Sequence, residues 1–177
     1  MSEETKDWSL ERFYHTIINA KNIDETVKFY QDLGFEILSD RRDMKWPKGG
    51  WTLVGMTPDA KGKGGTLMGL PNHPPPEGPM LNIYQWDNPQ AVFLEPSLMT
   101  VPRILAFRTR NVAGAMKAMQ AKGYKTTFEE PVTAHKAAGI LAVGCVYDPN
   151  NNIILMTELE PGLVFSRSKE VNGVEEN

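Results

Sequence analysis

Apolar positions along the chain fall into two local periods, one of strands and one of helices. Tyr14 to Ala20 is an apolar run rich in aromatic and β-branched residues, the pattern of a buried strand, and Ile23, Val27 and Tyr30 follow at i, i+4 and i+7 as one helix face. Asn22 supplies an N-cap oxygen, Glu25 stands three residues on as its capping-box partner, and Gly34 suits the left-handed position after the helix. Phe35 to Arg42 then reads as a second strand. The segment predicts a β-α-β start.

The same design returns, without a gap, in the second half of the chain. Ile104 to Val112 repeats the strand and cap, with Asn111 in the place of Asn22, Lys117 of Lys28, Gln120 of Gln31 and Gly123 of Gly34. Val112, Met116 and Met119 repeat the apolar helix face. Cap, stripe and stop recurring together mark an internal repeat of a supersecondary unit, with a period too long for a solenoid and right for a half-domain.

Between these anchors, Trp51 to Met56 reads as a third strand, reached through a turn at Pro47 to Gly50. Asp59 to Gly65 reads as a flexible glycine-rich loop. Thr66 to Pro71, followed by the prolines up to Pro79, is excluded from a central strand by the loss of ladder donors and reads as a lid. Met80 to Trp86 closes the first half. The second half continues as helix 112–122, strand 124–130, a loop around Ala134-His135-Lys136, strand 139–147, a turn at Asp148 to Asn152 and strand 153–159. The expected organisation is a polar lead-in at 1–10, a first βαβββ module at 11–87, a connector at 88–101, a second module at 102–160 and a polar tail at 161–177.

His15 at the head of a strand, Asn22-Ile23-Asp24, Phe29-Tyr30, Leu33-Gly34-Phe35 and the later run Tyr147-Asp148-Pro149-Asn150-Asn151-Asn152 resemble the vicinal oxygen chelate superfamily of glyoxalases, bleomycin-resistance proteins and extradiol dioxygenases. The resemblance covers roughly residues 11–160. It implies an α+β fold in which two βαβββ modules form a mixed sheet, curled as a half-barrel around a central cleft. It also implies a divalent metal held by one side chain from the first and last strand of each half. Carried over by position, those side chains are His15, Asn82, Ile104 and Leu155. One imidazole, one weak amide oxygen and two aliphatic groups make neither a zinc site nor a non-haem iron site, so no metal and no other cofactor is expected. A slip of register would bring in Gln85 or Glu158, but strand alternation puts Glu158 on the face opposite Leu155 and Thr157, so a bulge would be needed.

The same alternation places Ile17 and Asn19 with His15, Tyr84 and Trp86 with Asn82, Ala106 and Arg108 with Ile104, and Thr157 with Leu155. His15, Asn19, Asn82, Tyr84, Arg108 and Thr157 are therefore expected to meet in one cleft, mostly apolar with a few polar groups, as small organic ligands require. His15, with an ordinary pKa near ~6.5, can carry a proton at neutral pH, Tyr84 can donate to a developing enolate or phenolate oxygen, and Arg108 can offer a fork to an anion. If the protein sequesters a ligand, Trp46, Trp51, Tyr84 and Trp86 are the expected stacking walls. Plainer roles stand beside these: His15 as a hydrogen-bonded core residue, Arg108 reaching the rim or pairing with Glu129 or Glu130, and Tyr84 and Trp86 as core filler. Arg41, Arg42, Lys61 and Lys63 read as solvated charge, and His73 and His135 as solvent-facing loop residues.

Composition narrows the partners. The 177 residues carry 19 basic and 22 acidic side chains, a net charge of −3 with no basic stripe, so phosphate attraction has no evident source and nucleic acid is not an expected partner. The single Cys145 excludes an intrachain disulfide and, in its apolar run, reads as a buried inert thiol. Met1 to Arg12 is too polar for a secretory leader, and no apolar run approaches the ~20 residues of a membrane span, so a cytoplasmic protein is expected. By the resemblance and the prevalence of two-fold assemblies, a homodimer is expected. Three functional readings stay open: a metal-independent isomerase, lyase or cyclase working on a small carbonyl or aromatic compound, a non-catalytic protein that sequesters a small molecule, and a metal-dependent glyoxalase or dioxygenase with shifted ligands.

Overall fold

A computed structural model describes residues 14–43, 57, 59–73, 78–87, 103–132 and 139–161. The elements run β1 (His15–Ala20), α1 (Ile23–Asp32), β2 (Glu36–Asp40), β3 (Gly62–Gly69), β4 (Met80–Trp86), β5 (Ile104–Arg108), α2 (Val112–Ala121), β6 (Ile140–Tyr147) and β7 (Ile153–Leu159). They form two open mixed sheets, each with one helix, in an α+β architecture. The described residues fall into two compact units, one drawn from Met1–Arg103 with Tyr147–Asn152 and the other from Ile104–Val146 with Ile153–Asn177. The strand expected at Trp51 to Met56, the lead-in, the connector, the loop at 134–136 and the tail beyond Pro161 lie outside the described residues.

In the first unit the strand order is β1-β4-β3-β2, with β1 parallel to β4 and the other pairs antiparallel. Asn22 caps α1 as its position predicts: its Oδ1 accepts from Asp24 N at 3.0 Å and Glu25 N at 3.3 Å, and its Nδ2 donates to Glu25 Oε1 at 3.1 Å. Gly34 ends the helix at φ 97°, a left-handed conformation in which a side chain would be strained. Ile23, Val27, Phe29 and Tyr30 are buried, as are Ile18, Leu81, Ile83 and Met68 of the sheet. Each such large side chain contributes about 1.5–3 kcal/mol by leaving water.

Two expectations for this unit are corrected. The glycine-rich stretch is not a loop throughout, and Thr66 to Gly69 is not excluded from the sheet: Gly62–Gly69 is a central strand between β4 and β2. Its glycines are where neighbouring side chains cross the strand. A Cβ on Gly65 would lie 2.2 Å from Asn82 Oδ1 and 2.8 Å from Tyr84 Cε1, and one on Gly69 would lie 2.9 Å from Leu38 Cδ1. Glycine in a strand often marks such a close approach rather than flexibility, and the nearby prolines all lie beyond the strand's end.

The Asp148 to Asn152 turn also belongs to this unit. The buried Asp148 carboxylate accepts from Asn150 N, Asn152 N and Asn152 Nδ2, each at 2.8 Å, and from Tyr30 Oη at 3.2 Å. Asn150 in turn accepts from Lys21 N at 2.8 Å and donates to Thr26 Oγ1 at 2.9 Å. The turn is thereby fastened to the start and middle of α1.

In the second unit the order is β5-β7-β6, with β5 parallel to β7. Val112, Met116 and Met119 are buried, as the repeated stripe predicts. The strand expected at 124–130 is not formed. The chain touches β6 only through single bridges, Thr126 to Val146 and Val132 to Val143, and bends between them. Side chains take backbone carbonyls here: Gln120 Nε2 donates to Glu129 O at 3.0 Å and to the Thr126 hydroxyl at 3.0 Å, Thr126 Oγ1 donates to Phe128 O at 2.8 Å, and Pro131 has no N–H. No helix among the described residues is long and apolar enough to cross a membrane.

Candidate functional site

Register builds the site. The β1–β4 pairing sets Ile17 beside Asn82 and Asn19 beside Tyr84, so His15, Asn82, Tyr84 and Trp86 share the sheet face that the buried Ile18, Leu81 and Ile83 do not. A pocket of about 230 Å³ opens on that face, lined by His15, Asn82 and Tyr84 together with Tyr14, Arg41, Gly65 and Leu67. Gly65 is the floor that lets the Asn82 and Tyr84 side chains lie flat across β3.

The polar groups of the pocket are held in defined states. Burial pushes the His15 pKa below its ordinary 6.5, which keeps the imidazole neutral at pH 7. Its Nδ1 is buried with no hydrogen-bond partner among the described residues, and the Tyr14 ring meets the imidazole edge-on at 4.7 Å. Asn82 Nδ2 donates to Tyr84 Oη at 3.0 Å, which turns the hydroxyl hydrogen toward another acceptor. Burial raises the Tyr84 pKa, while the Asn82 hydrogen bond and the Arg41 charge oppose the rise, so the phenol stays protonated and a donor at neutral pH.

The two adjacent arginines separate. Arg42 is engaged by Asp40 and Asp24, as the reading of solvated charge allows. Arg41 is exposed, as that reading has it, and it also lines the pocket, with its Nε donating to Ser39 Oγ at 3.2 Å and its backbone N donating to Gly65 O at 3.1 Å. No motif singles it out. The signal in the sequence was its place just past the end of a strand that the glycine-rich β3 joins to β4.

The other candidates are distributed as follows. Trp86 Nε1 donates to Asn19 Oδ1 at 2.8 Å, and the indole packs with Ala60, Tyr84 and Ile17. Arg108 and Thr157 are register partners on one face of the second unit's sheet, where Arg108 has no ion-pair partner among the described residues. Ile104 is 59% exposed on that same face. His73 is exposed, Cys145 is half-buried rather than buried, and Trp46, Trp51 and His135 lie outside the described residues.

Gln85 and Glu158, the two residues a register slip would recruit, have other work. Gln85 Oε1 accepts from Ile23 N at 2.9 Å, and Glu158 Oε2 accepts from Val112 N at 3.0 Å, so each caps the first turn of its own unit's helix from the adjacent strand. The two units match here to the residue. The pairings His15 with Met80 and Ile104 with Ile153 put Asn82 and Leu155 at equivalent positions.

The divalent metal implied by the resemblance can be tested against these donors. Asn82 and His15 are the only donors at the four implied positions, Ile104 and Leu155 being aliphatic, and the nearest carboxylate and amide in sequence are held by helix N-termini on the opposite faces. No three His, Cys, Asp or Glu side chains cluster among the described residues. Zinc and oxygenase iron need three or more such donors, so this set does not fit the metal.

A family model described as the Glyoxalase/Bleomycin resistance protein/Dioxygenase superfamily matches residues 12–156. No curated protein matches the chain. Among solved structures, a glyoxalase family protein from Bacillus cereus is 10% identical with a TM-score of 0.63, covering 88% of this chain and 98% of its own. The trypanothione-dependent glyoxalase I of Leishmania major is 19% identical with a TM-score of 0.52, covering 84% and 87%. A bleomycin resistance determinant encoded on the transposon Tn5 is 15% identical with a TM-score of 0.51, covering 84% and 98%. At these identities the likeness is one of fold.

Proposed function

Since the chain belongs to the glyoxalase/bleomycin resistance protein/dioxygenase superfamily, we propose that it is a metal-independent enzyme of the isomerase, lyase or cyclase type, acting on a small carbonyl or aromatic compound in the first unit's pocket. The observation that carries this reading is a neutral imidazole, His15, in the wall of a pocket that also presents a protonated phenol. In the proposed step His15 takes the proton from the carbon next to a carbonyl. The C–H electron pair becomes the new C=C bond, and the carbonyl oxygen becomes an enolate that accepts a hydrogen bond from Tyr84 Oη. Return of the proton to the opposite face of that carbon inverts it, and in a compound with a conjugated double bond, where the enolate extends to a dienolate, return to the far carbon shifts the double bond and completes an isomerisation. Asn82 orients Tyr84 through the hydrogen bond from its Nδ2 to the phenol oxygen. A homodimer belongs to the same reading, supported by the prevalence of two-fold assemblies among soluble oligomers.

The test is exchange of the α hydrogen of phenylpyruvate in deuterated water, followed by NMR. His15→Ala is expected to slow exchange at least ~100-fold with affinity changed only a few-fold. Because the His15 pKa is lowered, the acid limb of the rate profile is expected below pH 6.5. Exchange undiminished in His15→Ala overturns the assignment of the base. Tight binding with no exchange in the unaltered protein favours the sequestering reading instead.

A further inference from the structure

We propose that Arg41 is a specificity-determining residue that selects ligands bearing a carboxylate, which the guanidinium holds beside His15 and Tyr84. The inference rests on the pocket being the ligand site and adds the charge class of what it takes. Three observations carry it.

First, the two neighbouring arginines are used differently. Arg42 is engaged by Asp40 and Asp24, whereas Arg41 has no carboxylate partner among the described residues and lines the pocket. Its Nε donates to Ser39 Oγ, which steadies an otherwise exposed side chain at the pocket wall. An arginine with no carboxylate partner among the described residues, at the wall of a concave site, is a ready partner for an anion.

Second, the charge is balanced for a monoanion. Among the described lining residues Arg41 is the one fixed cation, since His15 is neutral and the others carry no charge. A phosphate brings about −1.5 to −2 charges at pH 7, leaving part of that charge uncompensated, while a carboxylate brings one and matches the guanidinium fork. Third, the volume of about 230 Å³ lies below the ~300–1,000 Å³ of sites for drug-sized ligands, so one end of a small ligand anchored at Arg41 leaves its other end against His15 and Tyr84. The field of Arg41 already reaches the Tyr84 hydroxyl, whose proton affinity it lowers.

The probes are phenylpyruvate and its methyl ester, which share a carbonyl and an aromatic ring and differ in charge. Binding is read from the His15 ring resonances by NMR titration at millimolar concentrations in the full chain. The acid is expected to bind roughly 10–100-fold more tightly than the ester, the range of a hydrogen bond to a charged group. Arg41→Gln is expected to remove that preference and leave the ester's affinity unchanged. Arg41→Lys, which keeps the charge without the fork, is expected to retain part of it, and retention in Lys with loss in Gln separates recognition from damage to the fold. Equal binding of acid and ester, or a preference that survives in Arg41→Gln, overturns the role of Arg41 while the pocket reading stands. No movement of the His15 resonances with either probe overturns the pocket reading and this inference with it.

Discussion

At the scale of single residues, the pocket depends on a side chain that is missing. Gly65 has Asn82 Oδ1 and Tyr84 Cε1 where a Cβ would be, so one methyl group there must displace the pair that orients the phenol. Gly65→Ala is expected to cost about 1–3 kcal/mol in urea unfolding, as overpacking does, and to abolish ligand-induced shifts of the His15 resonances. An unchanged ligand response would mean that the two side chains can move aside without consequence. His15, Asn82 and Tyr84 were legible in the sequence because alternation along a strand is a local rule. Arg41 was not, because its side chain enters the pocket through a pairing of β2 with β3 that no local pattern announces.

At the scale of elements, each helix begins against the neck of its own sheet through one side chain of the neighbouring strand. Gln85 holds the first N–H of α1, and Glu158 holds that of α2. Each fills one of the unsatisfied donors that every helix start presents, and the carboxylate also meets the positive end of the helix dipole. Gln85→Ala and Glu158→Ala are each expected to lower stability by ~0.5–2 kcal/mol, the cost of losing a cap, with hydrogen-exchange protection falling first in the first turn of the corresponding helix. Loss of protection spread evenly over the unit would argue for a role in packing instead. The helices themselves were readable to within a residue, since cap, stripe and glycine stop all act over a few neighbours. The strand expected at 124–130 was not, because the Gln120 side chain takes the Glu129 carbonyl nine residues on, and only the folded chain brings the two together.

At the scale of the whole molecule, stability is tied to pH through one buried and one half-buried group with opposite consequences. Burial, aided by the Asp148 charge and hydrogen bond, raises the Tyr30 pKa above its ordinary 10.0, so the folded state keeps a proton that the unfolded chain releases. This stabilisation is complete below pH 10 and is lost as pH rises toward the folded-state value. Tyr30→Phe is therefore expected to cost about 1 kcal/mol at pH 7 and to show a smaller fall in stability above pH 10 than the unaltered protein, measured by urea unfolding across pH. A parallel fall in both proteins would show that Tyr30 does not carry the alkaline sensitivity. His15 acts on the other side: its lowered pKa means the unfolded chain binds a proton more readily, so stability declines as pH falls below 6.5.

What the sequence by itself determined is the set of features that neighbours along the chain impose on one another. These are the two helices with their buried faces, the Asn22 cap, the Gly34 and Gly123 stops, the terminal strands β4 and β7, and the doubling of the whole pattern. Each follows from periodicity and capping, which act within a turn or two. Tertiary structure alone decided that a glycine-rich stretch becomes the central strand β3, that Asp148 reaches back to Tyr30, and that Arg41 rather than Arg42 faces the pocket. Those outcomes turn on which distant residue fills a space or a hydrogen bond, and that information exists only once the strands have paired.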